Sequence, residues 1–235
     1  LGLVWSFLNP ILMLGLYVLV FGFIFRGRFQ PQHEEPRIEY ALIVFLGLAI
    51  YHFAAEVLGI SPTLITSNPN FVKKVVFPLD VLPVATVGGA LIHFFITLVL
   101  VFVGVLFTDV QLSTSALWLP VILVPLVLIC VGLSLLLSAL GVFWRDVTQI
   151  TQFVLLILMF ASAVFYPISQ IPAPAWAILK FNPFIHVINE ARNVTFWGQA
   201  PNAIHLVYLY VSALLTLAIG STVFQRLRGS FADVL

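Results

Sequence analysis

The residues of this chain able to do chemistry sit in short polar breaks between long apolar runs. In Ser61–Pro78 an Asn68-Pro69 pair precedes Asn70, Phe71, Lys73 and Lys74. A capping side chain followed by proline starts a helix, and Pro78 closes it. Phe71/Val75 and Val72/Val76 then fall at i,i+4 beside the two lysines, so residues 69–77 read as a short amphipathic helix on a membrane surface. It is either an interfacial connector or a docking helix, with Phe71 filling a partner groove and the lysines setting electrostatic register. The break at Phe143–Gln149 carries Trp144 and Arg145, which suit an interface anchor, and Asp146, which suits a helix N-terminus with Gln149 closing the capping box. The segment Tyr166–Pro201 divides into two helical pieces, about 174–180 and from Asn182-Pro183 to about 195. Both are too short to span a bilayer and too apolar for a free loop. A re-entrant or interfacial hairpin fits, as an outer gate or as a lid that seals the bundle. His186 and Glu190 lie one turn apart there and are able to pair.

Other polar groups lie inside apolar runs. His52 and Glu56 share a helix face and are placed to hydrogen-bond, with interfacial positioning the first reading and a proton relay the second. His93 reads as a packed polar residue, since no metal-ligand spacing or carboxylate accompanies it in sequence. Cys130 reads as a small hydrophobe. Gly88-Gly89, and Gly132 with Ser134, are places where helices approach closely. No phosphate-binding Gly-x-x-x-x-Gly-Lys-[Ser/Thr], zinc-protease or nucleophile-elbow motif occurs, so no ATP site of that type and no metal site is expected. The scarcity of intramembrane charge speaks against an ion-coupled pump. If the chain moves a cargo uphill, the energy comes from another subunit.

The elements that position these residues follow from charge. Only 8% of residues are charged, against about a quarter in soluble domains, so there is too little polar surface to cover a soluble core. A β-barrel strand alternates, whereas Leu91–Gly104 is apolar on every side. The chain therefore reads as an all-α polytopic membrane protein, a single transmembrane domain over residues 1–235. Six spans of about 20 residues are expected, at 3–25, 40–60, 81–107, 116–141, 147–166 and 203–224. Asn9-Pro10 is expected to break the first, and Pro83 falls in a first turn where it is tolerated. Even-numbered spans put both termini on one side. With the termini inside, Lys73, Lys74, Arg145, Arg226 and Arg228 balance Arg26, Arg28, Arg37, Lys180 and Arg192 outside, so the positive-inside rule does not choose. A net charge of +1 gives no reason to expect nucleic acid. The opening Leu1-Gly2-Leu3 is not a secretory leader, and a preceding interfacial segment is expected.

Taken together, the breaks resemble the membrane subunits of ABC transporters that export polysaccharides. Leu3–Pro10 is similar to that family's opening of the first span, Asn70–Pro78 to its coupling helix, Phe143–Val147 to its second cytoplasmic turn, Phe181–Phe184 to its outer re-entrant pair, and Phe231–Asp233 to its tail. The resemblance covers essentially the whole chain. It implies an exporter of the second ABC permease type in a bacterial inner membrane, with both termini cytoplasmic. It further implies a permease homodimer with two cytoplasmic nucleotide-binding subunits, which would hold the ATP and magnesium while this chain binds no cofactor. Asn70, Phe71, Lys73, Lys74, Arg145 and Asp146 would couple to the ATPase. Trp176, Asn182, Pro183, His186, Glu190 and Trp197 would form the outer gate. The cargo would be a lipid-linked polysaccharide, with O-antigen the first reading and teichoic acid the second. A drug or lipid exporter of the same wider class and an energy-independent membrane scaffold are the other readings.

Overall fold

The computed structural model describes residues 2–20, 29, 36–73, 77–110 and 112–234. Every regular element among them is helical: α1 (Gly2–Tyr17), α2 (Arg37–Ile60), α3 (Pro69–Lys73), α4 (Val81–Val105), α5 (Leu119–Phe143), α6 (Val147–Ala161), α7 (Ala173–Leu179), α8 (Pro183–Phe196), α9 (Ala203–Leu227) and α10 (Phe231–Val234), with short 3-10 turns between. Four segments are long and apolar enough to cross a membrane, Ile38–Thr63, Val81–Val105, Thr114–Phe143 and Ala203–Val234. These correspond to the second, third, fourth and sixth expected spans, the third ending at Val105 and not at 107.

The remaining two expected spans differ from the prediction. The helix of the first runs unbroken through Pro10, because an apolar helix tolerates the single lost hydrogen bond when its neighbours stay in register. Its expected end at 21–25 lies outside the described residues. The fifth ends at Ala161, not 166. Ser162 leaves the helical region and Ala163 takes a φ of 53°, so the chain turns there. At 1.5 Å per residue α6 is about 22 Å long, short of a hydrocarbon core of about 30 Å.

α2 is the central element. It packs against α1, α4, α5, α6 and α8, and its side chains from Tyr40 to Tyr51 are all buried apart from the glycine. The tightest pair is α5 with α9. A Cβ on Gly132 would lie 2.6 Å from the Thr216 carbonyl, and one on Gly220 would lie 2.0 Å from the Gly132 carbonyl, so only glycine lets these backbones meet. Gly132 thus has the expected role. Gly88 and Gly89 do not: nothing approaches a Cβ at either within 4 Å among the described residues. At one end of the bundle the chain folds back on itself. The Ser61–Thr63 turn packs on α5, where Ser61 Oγ donates to the Val57 carbonyl and lies 2.7 Å from Ser134 Oγ. A small second core of Ile65, Leu135, Ala139, Val142, Phe224 and Phe231 closes the same end.

Candidate coupling end and outer gate

α3 sits at the end closed by this second core, and α10 packs against both α3 and α5. The anchor is Phe231, fully buried with its ring 5.6 Å from Phe224 and 6.0 Å from Phe143. Phe143 is the last residue of α5, so the turn Trp144–Asp146 emerges beside it. The tertiary fold therefore gathers α3, the α5–α6 turn and the C-terminal tail at one end. Asn70, Phe71, Trp144, Arg145 and Asp146 are all exposed there. Phe71 keeps 37% of its surface open while its ring lies 4.8 Å from Phe77. The side chain of Lys73 and the whole of Lys74, Val75 and Val76 lie outside the described residues, so the expected i,i+4 pairs do too, and α3 is described only to Lys73.

Two capping expectations at this end are corrected. Asn68 does not cap α3; its amide donates back to the Leu64 carbonyl at 2.9 Å and satisfies the preceding turn instead. Asp146 occupies the N-cap position of α6 but makes no capping hydrogen bond, because its helical backbone (φ −70°, ψ −15°) turns the carboxylate away from the free N–H groups. An exposed carboxylate with no structural bond remains available to a partner.

The second group of predicted residues lies on α7 and α8. Asn182 caps α8 as expected, its Oδ1 accepting from the Phe184 N–H at 3.0 Å. The same side chain donates to the Ala161 carbonyl (3.1 Å) and to Ser162 Oγ (3.0 Å), tying α8 to the end of α6. Pro183 follows at the first helical position. His186 and Glu190 do not pair. His186 Nε2 donates to the Lys180 carbonyl at 2.8 Å, which closes the α7–α8 corner. Glu190, 1% exposed, accepts from His205 Nδ1 at 2.6 Å and from the Asn202 N–H at 3.0 Å. The long-range partner wins because α9 starts directly over α8, and its first free N–H groups welcome a carboxylate. Trp176 and Tyr208 pack around the His186 ring at 6.3 and 5.2 Å, and His205 stacks at 4.7 Å. Burial pulls the His186 pKa below its ordinary value. Trp197 is half-buried against the main core at the far end of α8.

Two residues escaped the sequence reading. His205 is the partner of Glu190. Arg192, counted there only as a loop charge, is 3% exposed and donates to the main-chain carbonyls of Ile43 (3.1 Å), Ala163 (2.8 Å) and Val164 (2.5 Å). The Phe29 ring covers it at 4.5 Å. It clamps the α6 terminal turn to α2, and a Cβ on Gly47 would strike it at 2.4 Å. Burial draws its pKa down to about 9, so the clamp stays cationic near neutrality. An arginine on an otherwise apolar helix face was the available signal.

Glu56 is a further correction. Its carboxylate meets not His52 but His93 Nδ1 of α4, at 2.8 Å. His93 accordingly has the carboxylate partner that the sequence did not reveal, and it is half-exposed rather than packed. Cys130 is buried as expected. Among the described residues no group of three or more His, Cys, Asp or Glu side chains is placed to hold a metal. The chemistry on offer is holding and positioning, at two opposed groups of residues.

Known proteins are similar in sequence to this chain over nearly its whole length. The chain is 25% identical over 235 residues to the O-antigen export system permease protein RfbA of Klebsiella pneumoniae, covering 100% of this chain and 87% of that protein. Its counterpart in Myxococcus xanthus is 26% identical over 235 residues, covering 99% and 87%. The polysialic acid transport protein KpsM of Escherichia coli is 24% identical over 226 residues, covering 96% and 85%. The model of the ABC-2 type transporter family matches residues 1–196, and the chain belongs to that family.

Proposed function

We propose that this chain is the membrane permease of an ATP-driven polysaccharide exporter, with lipid-linked O-antigen as cargo. The observation that carries the reading is the similarity to O-antigen and polysialic acid permeases over nearly the full chain. The permease is one transmembrane domain of six spans in a bacterial inner membrane, with both termini cytoplasmic. It pairs with a second copy and with two cytoplasmic subunits that bind ATP and magnesium. α3 and the Arg145–Asp146 turn are the contact through which the ATPase pushes, since they are exposed at one end and tied to the bundle through Phe231 and Phe143. α7 and α8 form a re-entrant hairpin that closes the outer end. The short α6 fits this arrangement, because its terminal turn meets the hairpin below the outer surface.

Deletion of the gene tests the reading. Surface glycan is expected to disappear while lipid-linked glycan accumulates inside, and a tagged permease is expected to retain an ATP-hydrolysing subunit in equal amount. Unchanged surface glycan in the deletion strain sinks the proposal.

A further inference from the structure

A cleft of about 710 Å³ opens between α1, α2 and α4. That volume lies within the range of small-molecule sites, about 300–1,000 Å³. Its polar groups are Asn9, Tyr17, His52, Glu56, His93 and Thr97. Its floor is apolar, with the Phe53 and Phe94 rings packed 5.2 Å apart. His93 is the middle residue of the 25-residue α4 and Glu56 lies four residues before the end of α2, so the pair joins two apolar spans within their length. Both side chains stay open to the cleft, 37% and 50% exposed. Hydrocarbon satisfies neither group, and a polar pair at this depth needs protein, water or a polar ligand around it. Arg192, by contrast, is closed over by its carbonyls.

The free valences describe the ligand. One carboxylate oxygen of Glu56 is used by His93 Nδ1, which leaves Oε2 as an acceptor and Nε2 of the imidazole open. The Asn9 amide and the His52 ring make no hydrogen bond with any described residue. Nε2 accepts when His93 is neutral and donates when it is protonated. A hydroxyl serves either state, and it also donates to Oε2. Among the described residues no Lys or Arg lines the cleft, so there a phosphate finds no counter-charge and meets the Glu56 carboxylate instead. An ammonium donates to Oε2 but accepts from neither a protonated Nε2 nor the Asn9 amide, whereas a hydroxyl does both. Neutral, hydroxyl-rich chemistry fits best.

We propose that the cleft between α1, α2 and α4 is a sugar-binding subsite in which Glu56 and His93 hold hydroxyls of a neutral stretch of glycan. The proposal rests on the glycan-export reading and adds where the cargo touches the permease. The full-length chain in lipid nanodiscs is titrated with end-labelled short oligosaccharides cut from the host cell's own surface glycan. The wild-type chain binds them. The double substitution Glu56→Ala with His93→Ala weakens binding at least about tenfold, and Thr97→Trp, which fills the cleft one turn from His93, does the same. Glu56→Gln, which keeps an acceptor, weakens it less. Equal binding by wild type and Thr97→Trp, or no binding by the wild type, overturns the subsite. The deletion strain keeps the two ideas apart. Loss of surface glycan with no binding leaves the permease standing and removes the subsite, whereas unchanged surface glycan removes both.

Discussion

The two ends of this permease carry similar numbers of polar groups and use them in opposite ways. At the α7–α8 end three polar side chains are spent inside the chain: Asn182 makes three bonds, Glu190 two, and Arg192 three. At the α3 end Phe71, Arg145 and Asp146 face outward, and Asp146 forgoes even its cap. Polar groups inside a membrane protein must be satisfied internally, because lipid offers no substitute. Groups left open at an aqueous end cost little and remain free for a partner. Substitutions at the α7–α8 end should therefore damage the fold, and those at the α3 end should damage assembly while sparing the fold.

The largest effect expected is that of Arg192→Met. Three main-chain carbonyls lose a charged donor, each at a cost of about 1–3 kcal/mol when buried, so thermal unfolding in detergent should show a loss of more than about 3 kcal/mol. A neutral result would mean that the carbonyls find other donors and that the clamp is incidental. Glu190→Ala follows, at about 2 kcal/mol, since the Asn202 N–H and His205 lose a buried acceptor. His205→Ala should reproduce part of that loss, and full stability in both variants would detach α9 from α8.

Phe71→Ala is expected to reverse the pattern. Retention of the ATPase subunit should fall about tenfold, or about 1.4 kcal/mol, while unfolding moves by less than about 0.5 kcal/mol. Unchanged retention would take α3 out of the docking face. The smallest effects set two N-cap positions side by side. Asn182→Ala should cost about 1 kcal/mol or a little more, and Asp146→Ala less than about 0.5 kcal/mol, because only Asn182 bonds to its helix. Equal costs would erase the distinction between the ends.

Legibility followed the range of the interaction. Asn182-Pro183 was read correctly because a cap acts within two residues of itself. The α2, α4, α5 and α9 spans were likewise plain, since apolar length alone demands a bilayer or a core. The pairs His52–Glu56 and His186–Glu190 were misread for a common reason. Helical spacing permits an i,i+4 contact without compelling it, and in both cases a neighbouring helix presented a better-aimed histidine.

The sequence by itself determined that this chain is helical, belongs in a membrane, and has breaks near residues 68, 146 and 182. These follow from composition and local stereochemistry, which act over a few residues. Only the tertiary structure decided that Phe231 brings the tail to α3, that Arg192 holds the turn after α6 to α2, and that Glu56 faces His93 across a cleft. Those choices depend on which helix faces meet, and that is set by close backbone approach at Gly132 and Gly220 and by satisfying buried polar groups across residues far apart in the chain.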